Sequence, residues 1–495
     1  MLETLLKERY GFDKFRIGQK EVIEEVLQGR DVFAMLPTGT GKTLCYLFSG
    51  QVLGGLTLIV SPLLSLMEDQ VQQIKLTGEK RVAALNSFLS FEEKKRLLNS
   101  LDTLHFLFVS PEMLRMSSVV EALKDNGVRL FVVDEAHCIS QWGHDFRPDY
   151  LRLAEVKRCL GQPTCLALTA TADNRVKQDI KEQLDIKGCK EHVYSIDRPN
   201  IALKVEQVAT HLQKFNRVTE LVQELEGPGL IYFSSREVAE QAAAWIQRKC
   251  GKTVRAAFYH AGLTSEDRLF IQHQFLNDQL DVLCSTNAFG MGLNKKNVRY
   301  VIHFHYPQHL NAYVQEMGRA GRDGLPALAL TLLAPDDHLL PEAMIERDFP
   351  SEASFDFIFH HGKINGWTSL ALYKAALESG STETAARFVG EQSRRLDPDS
   401  FEKSRVILKR IIDERRNLKL KDLRAMRQWL MTSTCLRRGL LKAYDEELNE
   451  QREPCCDRCG FDLERFSSNF QSTNSFPALI EDWEQRLSAL LPSNS

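Results

Sequence analysis

The run Thr38-Gly39-Thr40-Gly41-Lys42-Thr43 restricts this chain to folds that can present a phosphate cradle. Its two glycines let backbone N–H groups close around a triphosphate, Lys42 reaches the terminal phosphates, and Thr43 can offer its hydroxyl to Mg²⁺. A lone Gly-Lys-Thr turn is more often an ordinary strand-to-helix connection. A second motif weighs against that reading. Asp134-Glu135-Ala136-His137 ends the apolar run 130–133, so Asp134 would leave a buried strand at the mouth of the same site and complete the metal shell. Leu36 stands where the strict phosphate loop has its first glycine, so the match is to the shorter T-G-x-G-K-T form. Together the two motifs point to ATP hydrolysis.

The apolar pattern around them implies an α/β fold. From about residue 29 to 193, β-rich runs at 57–60, 106–109, 130–133 and 165–168 alternate with amphipathic helical stretches, the rhythm of a parallel sheet with helices on both faces. It restarts after Asp197-Arg198-Pro199-Asn200, with runs at 229–233, 254–258, 281–284 and 300–303. Two similar domains in tandem follow, each with functional loops at one edge of its sheet. Beyond residue 333 the alternation stops, and 342–444 reads as almost wholly helical, including 368–378 and 401–416. Gly380-Ser381-Thr382 interrupts it, with Thr382 placed to cap a new helix. That pair is either a helix-turn-helix or, more ordinarily, a helical insertion packed on the core.

A chain of 495 residues has room for about three domains. No apolar run is long enough to span a membrane. The N-terminal ten residues carry Glu3 and no apolar signal region, so the expected location is the cytoplasm, on the nucleoid in a bacterium. With a net charge of −3, nucleic acid must be held by local basic surfaces, and residues 401–440 offer one: 12 Lys or Arg against 4 Asp or Glu. Solvated helix faces are the plainer explanation of that excess. Cys45, Cys138, Cys159, Cys165, Cys189, Cys250 and Cys284 are scattered and expected as buried thiols. Cys435, Cys455, Cys456 and Cys459 fall within 25 residues and read as one structural zinc site. Ligand sulfurs about 3.8 Å apart are compatible with adjacent cysteines, whose Cα atoms are about 3.8 Å apart.

The order and spacing of these motifs resemble the RecQ family of superfamily 2 DNA helicases, over about residues 8–335 and again from Cys435. The resemblance implies two tandem RecA-like domains followed by a helical zinc-binding region, divided as 1–197, 198–340, a helical insertion 341–434, a zinc region 435–466 and a tail 467–495. It implies that Gln19, after Tyr10 and Phe12, reads adenine while one of those aromatics stacks on it. Thr38, Gly39, Thr40, Gly41, Lys42 and Thr43 would hold the phosphates. Asp134 would bind magnesium with Thr43, and Glu135 would orient or deprotonate water. From the second domain, Gln315, Arg319 and Arg322 would reach the γ-phosphate, with Arg322 as arginine finger. Arginines three apart would face the same side of a helical turn.

For DNA, Ser61 and Ser110 follow strands at helix N-termini, where phosphate oxygens bind well, and Thr286 and Phe289 repeat that arrangement in the second domain. Thr169-Ala170-Thr171 resembles the family's motif coupling hydrolysis to DNA, and His137 is assigned to the same coupling. Trp142, Phe146 and Arg147 resemble its aromatic-rich loop, able to stack on single-stranded bases. The adjacent Cys455 and Cys456 depart from the family, whose last zinc cysteines are spaced apart. The implied activity is an ATP-dependent helicase moving 3′ to 5′ on single strands in repair, recombination or replication, with ATP, Mg²⁺ and Zn²⁺ as cofactors. Single-stranded and forked DNA are its expected partners, with single-strand-binding or repair proteins as candidates and no membrane. Only 36 residues follow Cys459, as in a short bacterial-type form without the terminal accessory domain. A translocase or annealing factor without strong unwinding is one alternative; a non-catalytic DNA-binding module is another, opposed by intact Lys42, Asp134, Glu135 and Arg322.

Overall fold

The computed structural model describes residues 2–62, 64–140, 147–287, 289, 295–394, 396, 400–448, 455–461 and 463–467. Trp142, Phe146, residues 290–293 and the tail 468–495 lie outside the described residues.

Short, mostly apolar runs become the strands of two sheets, the inner ones buried on both faces and the edge strands less so. The first contains β1 (Val32–Met35), β2 (Leu56–Val60), β3 (Val82–Leu85), β4 (Phe106–Val109), β5 (Val128–Val133), β6 (Thr164–Thr169) and β7 (Lys190–Val193), in the order β3-β4-β2-β5-β6-β1-β7. The second contains β8 (Ile201–Gln207), β9 (Gly229–Tyr232), β10 (Ala256–Tyr259), β11 (Val282–Ser285), β12 (Tyr300–His303) and β13 (Ala327–Leu333), in the order β10-β11-β9-β12-β13-β8. The paired strands are parallel throughout. Parallel sheets need crossovers that cover both faces, which is why β2 and β4 are buried at every position without alternation.

Register places the site. Met35 pairs with Thr169, and Val60 pairs with both Val109 and Val133, so the loops after β1, β2, β4, β5 and β6 leave from one edge of the sheet. Those loops carry the phosphate cradle, Ser61, Ser110, Asp134 and Ala170.

The helical region is built from Leu339–Arg347, Glu352–Asn365, Ser369–Glu378, Glu383–Ser393, Phe401–Leu430 and Leu436–Lys442. Thr382 caps as expected, its hydroxyl accepting from the Ala385 N–H at 3.2 Å. The helix expected at 401–416 runs on to Leu430, since no Gly or Pro interrupts it. Its basic residues are less available than their count suggests. Arg405, Lys409, Arg416 and Lys419 pair with Asp356, Glu352, Glu346 and Asp348 on preceding helices or just after them. The excess along 401–440 is thus in part a seam between packed helices. Trp429, near the end of the long helix, stacks edge-on against Tyr313 with centroids 4.8 Å apart, tying this region to the second domain.

The cysteine-rich region is continuous with the second sheet. Leu203 of β8 bridges to Cys456, and its N–H donates to the Cys455 carbonyl at 3.1 Å. All eleven cysteines are free; Cys159 is exposed and Cys189 half-buried, against the expectation that the scattered seven are buried. Among the described residues no helix is long and apolar enough to cross a membrane.

Candidate active site

The loop after β1 turns into the helix Lys42–Leu53 through Gly39 and Gly41, whose φ values of 86° and 81° are left-handed and suit glycine. The first N–H groups of an α-helix have no i−4 partner within it, which makes this N-terminus the donor side of the cradle. Lys42 Nζ lies 3.3 Å from Glu135 Oε1, and Thr43 Oγ1 donates to Gln70 Oε1 at 3.3 Å. A cavity of about 410 Å³ opens here, lined by Thr38, Lys42, Thr43, Asp134, Arg319 and Arg322 among others. It therefore takes residues from both domains.

At the end of β5 the Asp134 N–H donates to the Val60 carbonyl at 2.9 Å, which holds the aspartate in line with the sheet. Glu135 then adopts φ 47°, a left-handed conformation uncommon outside glycine, and its N–H donates to Asp134 Oδ1 at 2.9 Å. Burial, and then the Glu135 charge, push the Asp134 carboxyl up to about 6. Burial also works to raise Glu135, but Lys42, His137 and Arg319 outweigh it and hold that carboxyl below its usual range. The two acids are thus split into one that resists ionisation and one that stays ionised. A divalent cation suits this donor set: the buried Asp134 carboxylate needs a positive partner, and the Thr43 hydroxyl lines the same cavity.

The helix Leu310–Met317 ends at Gly318, so Arg319 and Arg322 stand in the turns that follow and not on one helical turn as expected. They converge on the same cavity all the same. Burial, with Arg319 and Arg198 beside it, pulls the Arg322 guanidinium down to about 9. A Cβ on Gly39 would lie 3.2 Å from Arg322 Cγ, and one on Gly318 would lie 1.9 Å from Thr38 Oγ1. Each domain thus needs a glycine where the other approaches. Gln315 also lines the cavity.

Gln19 has contacts beyond those expected. Its amide nitrogen donates to the Thr40 and Gly41 carbonyls at 2.7 and 3.1 Å and so braces the phosphate loop, while its oxygen accepts from the Arg16 N–H at 2.9 Å; the side chain still lines the cavity. Of the two aromatics, Tyr10 packs on Phe48 and donates to Gln51, while Phe12 stays exposed at the cavity.

Several residues expected to touch DNA lie beneath the surface. Ser61 and Ser110 are both buried, their N–H groups donating to Val109 and Leu85 carbonyls, and neither hydroxyl has a hydrogen-bond partner among the described residues. Phe289 is a core residue: its ring meets Tyr259 at 4.7 Å and Phe275 at 5.8 Å. Thr286 is buried too, its N–H donating to the Tyr259 carbonyl. Arg147 donates to the Pro62 carbonyl, joining the loop after β5 to the loop after β2. His137, Thr169 and Thr171 form a buried chain. His137 Nδ1 lies 3.4 Å from Glu135 Oε2 and 3.0 Å from Thr169 Oγ1, and Thr169 Oγ1 donates to the Thr171 carbonyl at 3.1 Å. A path of contacts therefore leads from Glu135 to the loop after β6.

Two contributors escaped the sequence reading. The Tyr150 hydroxyl donates to the Asp134 carbonyl at 3.3 Å, and the Arg198 guanidinium bonds the carbonyls of Thr38 and Gly318 at 2.9 and 3.0 Å. Both address backbone oxygens, which leave no residue-type signature; Arg198 was visible only as part of a domain boundary.

The four clustered cysteines converge. Their sulfurs all lie within 4.8 Å of one another, with Cys435 3.6 Å from Cys455 and 3.8 Å from Cys456, and Cys456 3.5 Å from Cys459. These spacings fit the edges of a zinc tetrahedron, about 3.8 Å for bonds of about 2.3 Å. Burial opposes ionisation of Cys435, yet the Arg438 N–H and the neighbouring thiols favour its thiolate and lower it. Burial and the adjacent sulfurs push Cys455 up to about 11. Such a set favours a cation that can take up several thiolates at once.

Residues 16–180 match the DEAD/DEAH box helicase family, and 213–324 match the helicase conserved C-terminal domain. The probable ATP-dependent DNA helicase RecS of Bacillus subtilis (strain 168) is 44% identical over 495 residues, covering 98% of this chain and 97% of that protein. The ATP-dependent DNA helicase RecQ of Haemophilus influenzae is 41% identical over 347 residues, 70% of this chain, which spans about half (55%) of that protein. The solved structure of the DEAD-box helicase Mss116 bound to ssRNA and UDP-BeF aligns over 80% of this chain and 92% of that one, with a TM-score of 0.57 at 18% identity, a likeness of fold. With the two-sheet core and the shared nucleotide cavity, these similarities establish that the chain belongs to the RecQ family of ATP-dependent DNA helicases.

Proposed function

We propose that this chain couples ATP hydrolysis to 3′-to-5′ movement on single-stranded DNA and so separates duplex strands during repair or recombination. The observation that carries this reading is the cavity in which Lys42, Asp134 and Glu135 of one domain face Arg319 and Arg322 of the other. Backbone N–H groups of the loop Thr38 to Thr43 bind the phosphates, and Lys42 leaves Glu135 for the terminal ones. Thr43 and Asp134 would hold Mg²⁺, which when bound supplies charge neutralisation to the leaving phosphates. Glu135, kept ionised by its neighbours, orients the attacking water and takes its proton. Arg322, with Arg319 beside it, stabilises the charge that spreads over the γ-phosphoryl oxygens. Because the site is complete only when the domains meet, hydrolysis and release change how the two domains grip a DNA strand. The chain His137-Thr169-Thr171 carries that change from Glu135 toward the loops at the sheet edge.

Single-stranded and forked DNA are the substrates on this reading. Trp142 and Phe146, by resemblance, stack on bases. The four cysteines would hold a structural zinc, and the protein acts in the cytoplasm with other repair proteins. The test is unwinding of a 3′-tailed duplex beside a 5′-tailed one, with ATP and Mg²⁺. Strand separation on the 3′-tailed substrate is expected. Equal activity on both tails overturns the polarity, and DNA-stimulated hydrolysis without separation would make the protein a translocase.

A further inference from the structure

The segment between the two sheets is more than a connector. Arg198 reaches into the domain boundary, where its Nη1 donates to the carbonyls of Thr38 at 2.9 Å and Gly318 at 3.0 Å, and its Nη2 to those of Ala320 at 3.1 Å and Gly321 at 2.7 Å. One carbonyl belongs to the phosphate loop and three to the turns that carry Arg319 and Arg322. The planar guanidinium, with five donors in fixed directions, is the side chain that can span such a set. Its neighbours fix it from both sides. Asn200 Nδ2 donates to the Gly321 and Leu325 carbonyls at 2.9 and 2.8 Å, and the buried Arg437 donates to the main-chain carbonyl of Arg198 at 3.1 Å and to Asp197. A Cβ on Gly39 would come within 3.4 Å of Arg198 Nη1 and 3.2 Å of Arg322 Cγ, so both arginines lie against the same point of the phosphate loop.

We infer that Arg198 is a positioning residue, which sets the arginine-bearing turns of the second domain against the phosphate loop so that Arg322 meets the γ-phosphate in register. Arg198 acts through Arg319 and Arg322. The inference rests on the ATPase reading above. It predicts that the loss appears in turnover and not in nucleotide capture, since the cradle around Lys42 keeps its own backbone donors.

The experiment compares the parent chain with Arg198→Ala, Arg198→Lys, Arg322→Ala and the double variant Arg198→Ala/Arg322→Ala. DNA-stimulated kcat, dissociation constants for a fluorescent ATP analogue, and melting temperatures are measured for each. Arg198→Ala is expected to lower kcat about 10- to 100-fold while nucleotide affinity stays within about 3-fold. Arg198→Lys should recover part of the rate, because a single ammonium can reach some of the carbonyls. In the Arg322→Ala background, removing Arg198 should cost less than about 3-fold more, because the two act on one step. An unchanged kcat in Arg198→Ala, or the same fold-loss in both backgrounds, overturns the inference. If Arg198→Ala does not fold, Arg198→Lys decides: full parental turnover in a chain of parental melting temperature overturns it, and reduced turnover in that chain supports it. A parent without DNA-stimulated hydrolysis overturns the ATPase reading itself.

Discussion

Glu135 combines a left-handed backbone with a carboxylate held ionised by Lys42, 3.3 Å away, and by His137 and Arg319. Glu135→Gln keeps the size of the side chain and the hydrogen-bonding oxygen but removes the proton acceptor. ATP binding should persist, since the phosphate cradle is untouched, while turnover falls by about 10²- to 10⁴-fold. Equilibrium binding and steady-state hydrolysis of the same preparation check it, and a variant hydrolysing near the parental rate would remove Glu135 from its role. The acid pair and the phosphate loop were legible because their chemistry depends on residue type. Phe289 was misread, and the brace that Gln19 gives the phosphate loop was missed, for the opposite reason. An amide serves a base edge or a backbone carbonyl equally well, and an aromatic flanked by small residues resembles a loop residue until Tyr259 and Phe275 close around it.

Gly318 at the end of the helix Leu310–Met317 shows how an element boundary is set by another domain. Its φ of −63° is open to any residue, although an added Cβ would also lie 2.8 Å from the Val314 carbonyl oxygen of its own helix. The principal obstruction is Thr38, whose Oγ1 would lie 1.9 Å from an added Cβ. Gly318→Ala should therefore lower ATPase kcat about tenfold or more by displacing the arginine-bearing turns, with a smaller loss of melting temperature from the strained helix end. Thr38→Ala in the same chain should restore part of that loss. A single variant with parental turnover would show that the two loops need no such close approach. Among strands, β4 and the apolar stretches 58–60 of β2 and 130–133 of β5 were readable as hydrophobic runs. β7, with the sequence Lys-Glu-His-Val and mostly exposed, has no apolar signature because an edge strand is held by β1 alone.

Across the whole molecule, the cysteine cluster ties the end of the described chain to the edge of the second sheet through Leu203, Cys455 and Cys456. If the four thiols share one ion, Cys456→Ser should lower bound zinc below one per chain and lower the melting temperature together, whereas the exposed Cys159→Ser should do neither. Metal analysis of folded protein never exposed to chelator decides it, and a zinc-free parent would leave the cluster as reduced thiols. The sequence by itself determined the two parallel-sheet domains, the phosphate loop, the acid pair and the four-cysteine set. Each of these is written in hydrophobic run length or in residue types that only one chemistry requires. Tertiary structure alone decided that Arg198 spans carbonyls of both domains, that acidic partners from preceding helices occupy basic residues of the long helix, and that the cysteine region extends the second sheet. Such contacts join backbone oxygens, or charges distant in the chain, and only the packing of the domains brings them together.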